Sequence, residues 1–243
     1  MFAAMGLAAV LAMTPADAST EVVRGVTETL SATQAVQAAR VNGLEAYFRS
    51  DYAEAVRWFR LAADQGDAEA QTRLGNMYLA GEGVPQNDVE AVRYYRLAAD
   101  QGDVRAQYLV GFILDRGLGV PQNDVEAVRY YRLAADQGDA GAQAGLGHMY
   151  YIGTGVPQDV VEAVRWWRMA ADQGDADGQF HLGAMYEAGE GVPQDYVEAY
   201  KWFSLAAAGG VTSAVEVRDM IIVRMTPAQI AEGQRLASEW RPR

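Results

Sequence analysis

The residues best suited to metal or acid–base chemistry are the two histidines of the chain, His148 and His181. Neither lies in an H-E-x-x-H or H-x-x-H motif, and a zinc site would need carboxylates from several segments to converge on them. The chain has no cysteine, which excludes disulfides, thiolate metal sites and a cysteine nucleophile. No serine stands in an S-x-x-K or G-x-S-x-G motif. We therefore predict no catalytic residue, no metal and no cofactor.

Glycine-rich segments such as Gly81-Glu82-Gly83 resemble a phosphate-binding loop at first sight. A phosphate loop follows a strand and is followed by a lysine, and this segment has neither neighbour. It also recurs along the chain with the sequence G-x-G-V-P-Q. We interpret it as a structural turn.

Basic residues form a regular ladder, and this pattern could bind an acidic ligand. In each repeat that has two arginines, a glutamate stands three residues before the first arginine and an aspartate stands four residues after the second. The alternative to ligand binding is therefore a stripe of exposed ion pairs. A net charge of −12 argues against a nucleic-acid partner. The ladder consists of Arg57/Arg60, Arg93/Arg96, Arg129/Arg132, Arg165/Arg168 and Lys201.

The basic residues recur at a regular spacing because the sequence consists of repeats. The segment GVPQNDVEAVRYYRLAADQGD spans Gly83 to Asp103, returns unchanged at 119–139 and returns with changes at 155–175. The Gln-Gly-Asp motif recurs every 36 residues from Gln65 onward. A fixed period of this size indicates stacked supersecondary units.

Each repeat contains the start and stop signals of two helices. An Asx residue with a glutamate three positions later, as in Asn87 and Glu90, predicts a capping box at the start of the first helix. Gly102 predicts its end, and Asp103 predicts the cap of the second helix. Glycines at 75, 111, 147 and 183 fall in the middle of the second helices, where glycine costs about 1 kcal/mol relative to alanine. We expect a neighbouring helix to cross closely there.

The two ends of the chain depart from the repeat. Residues 1–18 have an apolar run and an A-x-A site ending at Ala18, which predicts a signal peptide and an exported, periplasmic or secreted protein. If this leader is not a signal, the location is cytoplasmic. Residues 19–50 are predicted to form a lead-in and a capping helix from Gln34 to Phe48. Residues 51–208 form about four full 36-residue repeats and a partial fifth, and residues 209–243 form irregular capping helices.

The repeat resembles the Sel-one-like repeat, a relative of the tetratricopeptide repeat. The likeness covers about Asp51 to Ala208 and rests on the aromatic pair, Ala-Ala, Gln-Gly-Asp, the motif of Leu74 to Tyr78, and Gly-x-Gly-Val. The resemblance implies an all-α, right-handed superhelical α/α solenoid used for protein–protein interaction. It brings no shared catalytic residues, although some members have been named as β-lactamases.

The positions that differ between repeats form one arc of each second helix, which includes the column of Thr72. Large groups on a face that packing does not fix indicate an interaction surface. The alternatives are drift at unconstrained positions and partial burial by curvature of the array. The candidate partner-binding residues are Arg73, Asn76, Tyr108, Leu109, Phe112, Arg116, His148, Tyr151, Ile152, Phe180, His181 and Glu187.

Together these patterns predict a non-enzymatic scaffold or adaptor that binds a protein or peptide as a monomer, with no nucleic-acid partner and no stable membrane insertion after signal cleavage. One alternative is a binder of an acidic ligand through the arginine ladder. A remote alternative is a hydrolase of the β-lactamase-like kind.

Overall fold

The computed structural model describes residues 15–242, and their side chains from residue 31. This part of the chain is helical and contains no strand. It divides into two compact units, one up to Gln86 and one from Asn87. The helices are α1 (Pro15–Phe48), α2 (Tyr52–Asp64), α3 (Ala68–Ala80), α4 (Asp88–Asp100), α5 (Val104–Arg116), α6 (Asp124–Asp136), α7 (Ala140–Ile152), α8 (Val160–Asp172), α9 (Ala176–Ala188), α10 (Tyr196–Ala208), α11 (Thr212–Ile222) and α12 (Pro227–Glu239).

The first unit contains α1, α2 and α3. The helix expected from Gln34 begins earlier, at Pro15, because no proline interrupts the chain between Pro15 and Phe48. Gly43 of α1 lies against Phe59 of α2, where an added Cβ would be 2.7 Å from the ring. The predicted signal peptide lies mostly outside the described residues.

The second unit contains three complete helix pairs, α4 to α9, followed by α10, α11 and α12. The predicted stop signals are confirmed within it. Gly102 and Gly138 adopt φ angles of 91° and 94°, and the following aspartate N–H donates back to the helix, as Asp103 N does to Ala98 O at 3.1 Å. Asp103 then caps α5 by accepting from Ala106 N at 2.7 Å. Each turn is therefore defined by local sequence.

The caps of the first helices differ from the expected capping box in one respect. The Asx side chains accept as predicted, for example Asp159 from Glu162 N at 3.0 Å. At Asp51, Asn123, Asp159 and Asp195, however, the cap N–H group donates to the preceding helix, as Asp159 N does to Tyr150 O at 2.9 Å. With that N–H satisfied, the Glu162 carboxylate binds Arg165 instead, at 3.1 Å.

Mid-helix glycines pack against the second aromatic residue of the next pair, as expected. A Cβ on Gly111 would lie 2.8 Å from Tyr131, and one on Gly147 would lie 2.7 Å from Trp167. The Gly183 position is 3.0 Å from Phe203. The glycines therefore allow each second helix to approach the next first helix closely.

Buried glutamines join consecutive repeats. Gln143 is 2% exposed, donates to Ala135 O at 3.2 Å, and accepts from Gln173 Nε2 at 2.9 Å. Gln107 makes the equivalent bonds to Ala99 O and from Gln137. Gln137 and Gln173, each the first residue of a Gln-Gly-Asp motif, thus bind the buried glutamine of the repeat before them, which fixes the register of these repeats.

The C-terminal helices differ from the repeat as the sequence indicates. Val211 precedes α11 and makes no side-chain cap. Thr226 and Gln229 form a complete capping box at the start of α12. Gly233 of α12 lies against Tyr200 of α10, where a Cβ would be 2.7 Å from the ring.

Candidate functional site

A cleft of about 320 Å³ opens on the second helices of the larger unit. Helix α7 forms its floor, α5 forms one wall and α9 forms the other. It is lined by Tyr108, Phe112, Asp115, Arg116, Tyr131, Gly141, Ala144, Gly145, His148, Asp175, Asp177 and His181.

The floor is hollow because α7 has small residues where the neighbouring second helices have large ones. Gly141 stands where α5 has Arg105 and α9 has Asp177. Two further positions follow the same rule. Ala144 is aligned with Tyr108 of α5 and Phe180 of α9, and Gly145 is aligned with Leu109 and His181. The cleft therefore arises from missing side chains in one repeat.

Tyrosine rings lie directly on this floor. A Cβ on Gly141 would be 3.1 Å from the Tyr108 ring, and one on Gly145 would be 2.9 Å from the end of the Tyr131 ring. Tyr108 is also near Phe112, with ring centroids 6.2 Å apart. The α5 wall is thus an aromatic surface.

The polar lining is mainly acidic. Asp115 accepts from the Tyr131 hydroxyl at 3.4 Å and pairs with Arg116 at 3.6 Å. Asp175 caps α9 through Gly178 N at 2.7 Å. Burial raises the pKa of Asp175, and the nearby charges of Asp177 and Asp139 raise it further. The pKa of Tyr108 is raised by burial and then by Asp139, Asp175 and Asp177, so their negative field reaches the aromatic wall.

The two histidines meet at the α7–α9 side of the cleft. Their ring centroids are 6.1 Å apart, and His181 stacks on Trp167 at 4.6 Å. Burial lowers the pKa of His181, and the proximity of His148 lowers it further, against a weaker opposite effect of Asp177. His181 is therefore neutral at pH 7. Among the described residues, no three His, Asp or Glu side chains are placed to hold a metal ion.

Five of the predicted site residues line the cleft: Tyr108, Phe112, Arg116, His148 and His181. The others lie on the same helices or elsewhere. Leu109, Tyr151, Phe180 and Glu187 are half-buried and Ile152 is exposed, while Arg73 and Asn76 belong to the unit that ends at Gln86.

Partial burial was one of the alternatives for the variable arc of the second helices, and large rings of this arc are indeed partly buried. Tyr151 packs against Trp167, with centroids 5.5 Å apart, and Phe180 packs against Phe203 at 5.7 Å. Thr72, which the sequence placed on the variable arc, is buried, because the packed face of α3 is broader than expected.

The sequence interpretation missed Gly141, Ala144 and Gly145, which create the hollow. It followed the large residues of each repeat, whereas the signal was the absence of large residues in one repeat. It also missed exposed apolar side chains on the first helices, which recur with the repeat. These are Leu61, Leu97, Leu133 and Met169 in one column and Val89, Val125 and Val161 in another.

Most side chains of the basic ladder make contacts within the protein. Arg165 pairs with Glu162 and lies over Trp166, and Lys201 pairs with Glu198 at 3.0 Å and lies 4.0 Å from the centre of the Trp202 ring. Arg168 donates to the Tyr186 hydroxyl at 2.6 Å. Arg96 is the residue equivalent to Arg168, but α5 has Leu114 at the position of Tyr186. Arg96 pairs instead with Glu126 at 3.2 Å. These contacts do not favour a free anion clamp.

The fold and the cleft define the class: an α-solenoid of helix–turn–helix repeats with a binding surface on its second helices. The Sel1 repeat family model matches residues 39–67, 68–103, 104–139, 140–175 and 176–211. The chain therefore belongs to the Sel1 repeat family. In the helix pairs described above, the first helix begins each repeat. In the family model the repeat begins at the second helix instead, and this division gives five repeats.

Solved structures agree with this assignment. A Sel1 repeat protein from Oxalobacter formigenes is 35% identical, with 77% of this chain and 76% of that chain covered and a TM-score of 0.66. The protective antigen c5321 of uropathogenic Escherichia coli, which displays the same repeat fold, is 30% identical over 86% of this chain and 54% of that chain, with a TM-score of 0.56. Comparison with curated protein sequences gives no significant match. Among the described residues, no helix has the length and apolarity to cross a membrane.

Proposed function

We propose that this protein is an exported, non-enzymatic scaffold that binds a protein or peptide through the cleft of α5, α7 and α9. The observation that carries the proposal is the hollow at Gly141, Ala144 and Gly145, which makes room beside the rings of Tyr108 on α5 and Tyr131 on α6. Sel1 repeats commonly serve protein–protein interaction, and a cleft of this size with aromatic and polar walls suits a protruding side chain.

The flanks of the cleft support a peptide over a small isolated molecule. Tyr151 and Phe180 are half-buried and Ile152 is exposed on the same helices. These apolar groups can contact the residues on either side of a side chain that enters the cleft. Hydrolysis is not favoured, because no serine lines the cleft, and the hydroxyl that is paired with a carboxylate, Tyr131 with Asp115, is buried and has a raised pKa.

A triple variant tests the binding surface. Tyr108→Ala, Phe112→Ala and Tyr151→Ala together remove three rings from the proposed surface while their helices retain good helix formers. Affinity capture from the periplasmic fraction, followed by mass spectrometry, should recover a partner with the wild-type protein and not with the variant. Equal far-UV circular dichroism of the two proteins establishes that the fold is retained.

A control variant changes more exposed apolar groups on the first helices. Leu97→Ala and Leu133→Ala remove apolar side chains that are each 42% exposed, and capture should be unaffected. Capture that survives the triple variant but not the control would place the binding surface on the first helices and overturn the proposal.

Export has a separate test. Residues 1–18 fused to an enzyme that is active only outside the cytoplasm should give activity, and deletion of the apolar run should abolish it. An inactive fusion would contradict the proposed location without affecting the binding surface.

A further inference from the structure

We infer that the cleft receives a basic side chain, arginine or lysine, of the bound peptide. This inference rests on the proposed function, which supplies a peptide as the ligand, and it adds the chemistry of the residue that enters the cleft. Its basis is the combination of an aromatic wall with an excess of carboxylates around one cavity.

The charge of the lining favours a cation. Three aspartates and one arginine line the cleft. Arg116 is paired with Asp115, its side chain is 63% exposed, and its guanidinium lies 5.7 Å from the centre of the Phe112 ring. Asp175 and Asp177 remain as the excess negative charge, and Asp177 is exposed to an incoming group.

The alternative occupants fit less well. An apolar side chain would bury these carboxylates without a counter-charge, which is strongly unfavourable. An anionic side chain would meet carboxylates of its own sign on both sides. A guanidinium or ammonium group compensates the carboxylates and is attracted to the face of a tyrosine ring.

The aromatic wall is placed to hold such a group. The half-buried Tyr108 ring lies over Gly141 and is the tyrosine ring that an incoming group can reach. The Tyr131 ring is only 2% exposed and packs against Tyr108, with the two ring centroids 6.2 Å apart. His181, whose pKa is lowered by burial, is neutral at pH 7 and does not repel the cation. The cleft thus combines the Tyr108 ring, carboxylates and a neutral histidine.

Selection from a random heptapeptide display library tests this assignment. Peptides are selected on the wild-type protein and counter-selected on Ala144→Phe, which places in α7 the kind of ring that α5 and α9 have at Tyr108 and Phe180. This substitution fills the cleft with a residue that the repeat accommodates. We expect the cleft-dependent peptides to be enriched in arginine or lysine at one position.

The affinity of one selected peptide then separates the outcomes. Glutamine in place of its basic residue should weaken binding at least about tenfold, and so should Asp177→Asn. Asp177 is chosen because Asp175 is needed to cap α9. The control Asp136→Asn removes an exposed carboxylate from the end of α6, outside the cleft, and should leave the affinity unchanged.

Each other result overturns the inference in a distinguishable way. Cleft-dependent peptides without basic enrichment would reject the cationic ligand and leave the proposed function intact. Peptides that bind equally to Ala144→Phe, or lose equal affinity with Asp136→Asn, would place binding outside the cleft. A library that yields no binder would contradict both the inference and the proposed function.

Discussion

Replacing Gly147 by alanine tests whether the mid-helix glycines permit the close packing of the array. An added Cβ would lie 2.7 Å from Cδ1 and Nε1 of Trp167. Because carbon atoms in good contact are about 3.5–4.0 Å apart, the overlap is roughly 1 Å. Trp167 is fully buried, and its indole N–H donates to Ala144 O at 3.2 Å. The ring therefore cannot turn away without losing this hydrogen bond.

The expected effect on the free energy of unfolding is the difference between two terms. Overpacking a core costs about 1–3 kcal/mol, whereas alanine stabilises a helix by about 1 kcal/mol relative to glycine. Because the Trp167 ring is anchored, the net result should be a loss of about 1–2 kcal/mol. For a chain of this length, the Tm should fall by about 2–8 °C.

Thermal unfolding followed by far-UV circular dichroism measures this change, with Gly183→Ala as the matched control. Phe203 lies 3.0 Å from the added Cβ there, and a phenyl ring has no N–H anchor, so the loss should be smaller. In a Trp167→Leu background the cost of Gly147→Ala should largely disappear. An unchanged or raised Tm in the wild-type background, or an equal loss in the Trp167→Leu background, would refute the packing explanation.

Three further predictions concern burial, pH and capping. Gln143→Leu should destabilise the protein by about 1–3 kcal/mol in urea unfolding, because Ala135 O loses its buried donor. The pKa of His181 is lowered on folding from its ordinary value of 6.5, so the unfolded chain binds more protons and the urea midpoint should fall as pH decreases through that value, between about pH 8 and pH 5. Thr226→Ala should cost about 1 kcal/mol, because it removes the cap of α12.

Each of these predictions has its own control. Gln173→Leu removes the exposed donor to Gln143 Oε1 and leaves the bond from Gln143 to Ala135 O intact, so it should cost less than Gln143→Leu. In His181→Phe the pH dependence should be weaker over the same range, and an unchanged slope would show that another group titrates. Thr226→Ser preserves the hydroxyl and should retain the stability, so an equal loss in both variants would contradict the capping argument.

The helices of the repeats and their boundaries could be predicted from the sequence because their signals are local, whereas the start of α1 was not predicted. Asn87 and Asp103 cap helices through N–H groups three residues away, and Gly102 supplies the positive φ that ends a helix. The 36-residue period then indicated that these units stack. The glycines of the second helices also predicted a close crossing, since a repeated cost of about 1 kcal/mol requires a packing reason.

Contacts between repeats were harder to predict from the sequence. The glutamate of each capping box was expected to bind the cap N–H, but in four of the caps, at Asp51, Asn123, Asp159 and Asp195, this N–H donates to the preceding helix. The buried role of Gln143 depends on Ala135 and Gln173, which are 8 and 30 residues away. Partners at such separations are determined by how the repeats stack.

The sequence by itself determined a helical repeat, the family to which it belongs and the helix face that varies between repeats. The tertiary structure decided where on that face a cleft exists. Its floor consists of Gly141, Ala144 and Gly145, which are unremarkable in isolation and form a hollow only between the side chains of α5 and α9. The physical reason is that caps and turns depend on atoms a few residues apart, whereas a cavity depends on side chains about one repeat apart.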